Sequence, residues 1–173
     1  MTMGLLPGMM AQKSGHIFNI SSIGVLTNAP RFSAYVASKA ALDAWTQCAA
    51  AELSDVGIAF TTINMPLVRT PMIAPTRVYQ SVPTLTPDEA AQLVVQAIVT
   101  RPVRIATRVG ILGLGLQAVT PRAAQIVLNT AYRLFPDSDS GAAPPGAIGA
   151  PEAAPQLTPE LLAMQHLLRG LHL

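Results

Sequence analysis

The sequence predicts an α/β fold in which parallel strands are joined by crossover helices. Three observations carry this. Short β-rich runs recur at 15–20, 58–64 and 103–107, apolar and small residues keep helical spacing between the first two, and a second helix opens with its own start signals before the third. At 173 residues the chain has room for one domain with a core.

Taken in order, "GHIFNI" (Gly15 to Ile20) is short and β-rich, follows a glycine boundary, and ends at a polar Ser-Ser. From Ser33 to Val56, Tyr35, Leu42, Trp45 and Leu53 recur at helical intervals, and Gly57 stands where a left-handed C-terminal cap belongs. "IAFTTIN" (Ile58 to Asn64) is the next strand. Pro66, Pro71, Pro75 and Pro83 then confine the following stretch to loop and short turns. In "TPDEAAQLVVQAIV", Thr86 caps, Pro87 fits the first turn, and Glu89 completes a capping box. Asp88 and Glu89 complement the helix dipole there, a structural role rather than paired-carboxylate catalysis. "VRIAT" (Val103 to Thr107) is the third strand.

Residues 109–135 read as apolar helix interrupted by glycines and Pro121 and flanked by Arg108, Arg122 and Arg133. Residues 136–157 form a disordered Pro/Ala/Gly linker whose composition cannot bury enough to fold, and 158–173 a terminal amphipathic helix. The first domain is thereby placed at 1–135.

Composition narrows the function. Half of the residues are hydrophobic, 12% are charged and the net charge is +2, with Lys13 and Lys39 the only lysines and the arginines scattered singly. That pattern argues against a nucleic-acid surface. Cys48 is alone, which fits a reducing, cytoplasmic setting and reads as a small buried helix residue. His16, His166 and His172 lack partners at ligand spacing, so no metal site is expected. The start, "MTMGLLPGMM", is not a signal peptide, and "VGILGLGLQAV" (Val109 to Val119) is too short for a simple bilayer span.

The chemistry concentrates in "NISSIG…AYVASKAALDAW", from Asn19 to Trp45. Tyr35 and Lys39 lie at i and i+4 and share one helix face. A tyrosine, with an ordinary pKa of ~10, is a poor acid or base at neutral pH, and a neighbouring ammonium favours its phenolate. Ser22, at the end of the adjoining strand, is placed to hydrogen-bond a carbonyl oxygen. The three suit protonation of that oxygen while hydride reaches its carbon. Serine hydrolysis fits poorly, because no His or carboxylate is placed to activate Ser22.

A strand ending in Ser-Ser, thirteen residues from Ser22 to Tyr35, then Ser38–Lys39–Ala40–Ala41 and "VGIAFTTIN" resemble the short-chain dehydrogenase/reductases. The resemblance runs from about Leu5 to Thr107. It implies the C-terminal half of a doubly wound, Rossmann-like parallel sheet. It also implies that Ser22 orients and polarises the substrate carbonyl, Tyr35 is the general acid or base, and Lys39 binds the nicotinamide ribose and tunes Tyr35. Asn19 is implied to be structural. "NMPLVRTPM" resembles the loop in which Val68 meets the nicotinamide through its backbone and Thr70 through its hydroxyl; Met65–Pro66 stands where the family carries Pro-Gly.

A narrower resemblance, in "NMPLVRTPMIAPT", "TLTPDEAA", "RPVRIATR" and "NTAYRLFPDS", is to actinobacterial fatty acyl-CoA reductases. It implies NADPH, with NAD left open, and a long-chain acyl-CoA or fatty aldehyde as substrate. Residues 109–135 then line an alkyl tunnel, rest on a membrane surface, or pack against the sheet or a second subunit.

The family's glycine-rich turn after a first strand, its Asn-Asn-Ala-Gly segment and its helix asparagine are not in these 173 residues. "GILGLG" (Gly110 to Gly115) follows the last strand, leads into no βαβ unit and is no substitute. On this reading the first half of the domain is absent and the strand at 16–21 is left as an exposed edge. Two functions follow: a nicotinamide-dependent carbonyl reductase, homo-oligomeric through the long helix at full length, or a truncated, inactive fragment acting as an interaction module. A weaker third is a membrane-surface protein.

Overall fold

The computed structural model describes residues 2–71, 73 and 82–134. The linker, the terminal helix and part of the proline-rich loop lie outside the described residues. The elements are α1 (Thr2–Gln12), β1 (Gly15–Ser22), α2 (Ile23–Thr27), α3 (Ser33–Glu52), β2 (Ile58–Met65), α4 (Pro87–Thr100), β3 (Arg104–Ile105), α5 (Arg108–Val119) and α6 (Pro121–Leu134). The sheet order is β1-β2-β3, all parallel, with Gly15 opposite Ile58, Ser22 opposite Met65, and Ile63 opposite Ile105.

Alternation along the strands sends successive side chains to opposite faces. On one face Ile17, Ile58 and Phe60 pack with Leu6 of α1 and with Trp45 and Ala49 of α3. On the other, Ile63 and Ile105 pack with Leu93 and Ala97 of α4. Helices therefore cover both faces, as a doubly wound α/β sheet requires. Ile63 and Ala97 are fully buried, and a side chain the size of Ile63 contributes about 1.5–3 kcal/mol by leaving water.

The cover is incomplete over β1. Phe18 and Ile20 point to the α4 face beyond its reach and stay more than a third exposed, and β1 is an edge strand of the described sheet. The edge expected from the sequence is thus present. An unpaired strand beside exposed aromatic and β-branched residues templates association.

The local signals act as read. Thr86 and Glu89 form a reciprocal capping box, Thr86 Oγ1 accepting from the Glu89 amide at 3.2 Å and Glu89 Oε2 accepting from the Thr86 amide at 2.7 Å. α3 ends at Glu52, short of Val56, and Ser54–Val56 tighten into a 3₁₀ turn before Gly57 at φ 75°. A Cβ on Gly57 would lie 2.3 Å from the Lys13 carbonyl oxygen. Gly57→Ala is therefore expected to cost more than the ~1–2 kcal/mol of a left-handed backbone alone, read by urea denaturation.

Three expectations are corrected. Cys48 is exposed, because it falls on the outer face of α3 in line with the exposed Ala37, Ala41 and Ala44. β3 is two residues long. The glycines of 109–119 do not interrupt the helix: α5 runs through them, and the break comes at Thr120–Pro121.

His16 adds a pH dependence. Thr61 donates its hydroxyl proton to the Pro102 carbonyl, so at 2.9 Å its oxygen accepts from His16 Nε2–H. Burial, and then the charge of Arg101, hold the His16 pKa below its ordinary 6.5. The unfolded chain then binds more protons than the folded one, so this contribution to stability is full above 6.5 and is lost as pH falls through the lower folded value. Urea midpoints across that range should fall on acidification, with His16→Gln flattening the slope.

Candidate active site

The site residues gather at the C-terminal ends of the strands, where ligands bind in open α/β sheets. Ser22 ends β1 and caps α2, its Oγ accepting from the Gly24 amide at 3.1 Å. Accepting there fixes the side chain and leaves the hydroxyl proton to be donated elsewhere. Tyr35 lies in the first turn of α3 and is 49% exposed, so its phenol is accessible. One turn on, Lys39 Nζ donates to the Ile20 carbonyl at 2.9 Å. Lys39 thus crosses from the tyrosine helix to the strand that ends in Ser22. Asn19 Nδ2 donates to Thr46 Oγ1 at 2.6 Å, tying β1 to α3 as a structural residue.

The loop after β2 is pinned across to Leu85. The Leu85 amide donates to the Leu67 carbonyl and its carbonyl accepts from the Arg69 amide, both at 2.8 Å, in a parallel bridge centred on Val68. Adjacent peptide groups alternate in direction in extended chain, so the amide and carbonyl of Val68 itself point away from Leu85. Thr70 opens a turn in which its carbonyl accepts from the Ile73 amide. With Met65–Pro66 in place of Pro-Gly, no residue of 65–71 has a positive φ. The loop needs no glycine here.

One cluster escaped the sequence reading. Asp43 of α3 is buried, its Oδ2 accepting from Asn64 Nδ2 at 3.0 Å and lying 3.5 Å from the Arg104 guanidinium. Arg104 also donates to Asn64 Oδ1 at 2.8 Å, and Asn64 Nδ2 lies 3.4 Å from the Ser22 carbonyl. Asn64 is therefore the hub joining α3, β3 and the end of β1. Asp43 Oδ1 and Ser21 Oγ are buried without a hydrogen-bond partner among the described residues. The available signal was spacing: Tyr35, Lys39 and Asp43 stand at i, i+4 and i+8 on one helix face.

The nicotinamide end of a dinucleotide fits what is present: an ammonium and a phenol on one face, and in Val68 a donor and an acceptor for a carboxamide. The pyrophosphate end does not, because no strand among the described residues leads through a glycine-rich turn into a helix N-terminus.

Residues 1–80 match the short chain dehydrogenase family. Over that span, just under half of the chain, the sequence is similar to the short-chain dehydrogenase/reductases. It is 56% identical to a fatty acyl-CoA reductase of Acinetobacter baylyi over 138 residues, which are 80% of this chain and 47% of that protein. Among solved family structures, a short-chain dehydrogenase from Streptomyces avermitilis superposes with a TM-score of 0.58 at 28% identity, over 76% of this chain and 56% of its own. A 3-ketoacyl-(acyl-carrier-protein) reductase from Brucella melitensis, solved with NADH, gives 0.51 at 25% identity, over 56% of this chain and 43% of its own. The chain spans less than half the length of the curated relatives it matches.

Proposed function

We propose that residues 1–135 are the carbonyl-site half of a nicotinamide-dependent oxidoreductase that reduces a long-chain acyl-CoA or fatty aldehyde. The observation that carries the reading is the Lys39–Ile20 hydrogen bond, which sets the Tyr35–Lys39 face of α3 beside the strand end bearing Ser22. The acyl substrate rests on the similarity to the Acinetobacter reductase, and the nicotinamide on the family and on the Brucella reductase solved with NADH. NADPH is the favoured form by the narrower resemblance.

Ser22 donates its hydroxyl proton to the carbonyl oxygen of the substrate and holds it toward Tyr35. Tyr35 gives its phenolic proton to that oxygen as negative charge develops there. Lys39 keeps a positive charge one helical turn below the phenol and offers its remaining N–H donors to ribose hydroxyls. The Val68 peptide groups and the Thr70 hydroxyl orient the carboxamide. A nicotinamide bound there supplies the hydride.

The test joins this chain behind the residues that precede the matched region in the Acinetobacter reductase, and follows dinucleotide oxidation with hexadecanal or hexadecanoyl-CoA. Aldehyde- or thioester-dependent turnover is the expected result. A chimera that binds dinucleotide but reduces neither, while the parent reductase does, overturns the reading and leaves an inactive interaction module. Gel filtration of the same chimera tests α3, with its exposed Ala37, Ala41 and Ala44, as a homo-oligomer contact.

By itself the 173-residue polypeptide should bind NADPH or NADH weakly or not at all and should self-associate through β1. Fluorescence titration and light scattering check this, and tight saturable binding by a monodisperse sample would count against it.

A further inference from the structure

The α5–α6 hairpin is apolar on the wrong side for a helix that packs only on its own domain. Its inner edge is built from small or polar residues. A Cβ on Gly110 would lie 2.9 Å from Leu26 Cδ1, Gly113 abuts Thr27 and the Leu26 carbonyl, and Gln117 accepts a hydrogen bond from Asn28. The glycines let α5 approach α2 closely, and the large residues are turned outward. Leu112, Leu116 and Val119 are 61%, 40% and 81% exposed, with Arg108 one turn before Leu112 on the same stripe.

The charge around this stripe has one sign. Between Glu89 and Asp137 there is no acidic residue and there are five arginines. Arg101 caps α4 and Arg104 turns inward to Asp43. Arg108, Arg122 and Arg133 are exposed, and Arg122 and Arg133 share the outer face of α6 with Asn129. An exposed leucine stripe that carries Arg108 and is followed by the exposed Arg122, in a segment without acidic residues, matches the interface of an anionic bilayer, which takes apolar side chains below the headgroups and arginines at the phosphates.

We propose that the outer face of α5, with Arg108 and Arg122, docks this protein on an anionic lipid surface without crossing it. Among the described residues no helix is long and apolar enough to cross a membrane. A second copy of the chain is disfavoured because a self-complementary contact sets these arginines against one another with no acidic partner. A single alkyl chain is disfavoured because the stripe lies on the convex outer side of a helix rather than inside a cleft. The proposal does not depend on the reductase reading.

The test is vesicle flotation with the monomeric fraction of the 173-residue chain, its folding checked by circular dichroism. Co-flotation is expected with vesicles of phosphatidylcholine and phosphatidylglycerol, weakening as salt rises, and little with phosphatidylcholine alone. The combined Leu112→Ser, Leu116→Ser and Val119→Ser variant should lose about tenfold or more in bound fraction. Arg108→Gln with Arg122→Gln should lose several-fold and flatten the salt dependence. All five side chains are exposed, so the variants should melt as the parent does. Failure of the folded parent to float with anionic vesicles overturns the proposal. So does flotation that the leucine variant leaves unchanged, or a concentration-dependent dimer abolished by that variant in the absence of lipid.

Discussion

Replacing Arg104 with methionine should lower the unfolding free energy by about 3–5 kcal/mol, and replacing Asp43 with leucine should cost less. The asymmetry follows from burial. The Asp43 side chain is 6% exposed and the Arg104 side chain 25%. Removing the guanidinium strands a carboxylate in the α3–sheet interface with Asn64 as its remaining hydrogen-bond donor, and its Oδ1 already has no partner among the described residues. Removing the carboxylate leaves an arginine that still donates to Asn64 and can move its head toward water. The double variant should recover part of the loss, because two apolar side chains in that space leave no charge unpaired. Urea denaturation of the four proteins at neutral pH closes the cycle. Equal costs for the two single variants would show that Asp43 is not the stranded partner.

That cluster marks the boundary of what the sequence discloses. Signals that act over a few residues were legible: Thr86 with Glu89, Gly57 after its helix, Ser22 closing a strand. Each is settled by backbone geometry within one turn, as is the shared helix face of Tyr35 and Lys39, whereas the place of that face beside β1 depends on how α3 packs on the sheet. Signals that depend on which face of an element meets which neighbour were not legible. The glycines of α5 read as interruptions because a helix propensity penalises them, whereas Gly110 and Gly113 are the close-packed edge against α2. Cys48 read as buried because cysteine usually is, although its place on α3 sets it with outward-facing alanines. Asp43, Asn64 and Arg104 lie 21 and 40 residues apart along the chain and meet through sheet register, which local spacing does not encode. The polar end of the α3–sheet interface, with Asn19, Thr46, Ser21 and Asn64, lies at the strand ends where the site is built. The apolar end, with Ile17, Phe60 and Ala49, supplies the core.

In the chimeric reductase, Tyr35→Phe should lower turnover by about 10²–10⁴-fold while leaving the melting temperature unchanged. Phenylalanine keeps the ring, the residue is half exposed, and only the hydroxyl is removed. A change in rate without a change in stability therefore isolates the proton donor. The other two members separate less cleanly. Ser22→Ala removes the carbonyl donor but also the cap on α2, a further ~1 kcal/mol of stability. Lys39→Met removes the ammonium but also its bond to the Ile20 carbonyl, worth about 0.5–1.5 kcal/mol, which Lys39→Arg can restore in part. If the three residues act as one device, Tyr35→Phe combined with Lys39→Met should be little slower than the worse single variant, because removing one member already disables the transfer. Additive losses would mean that Lys39 serves dinucleotide binding separately from the proton step, which a rise in KM for the dinucleotide at constant kcat would identify. Unchanged turnover in Tyr35→Phe would remove the triad from the chemistry and leave this surface to binding alone.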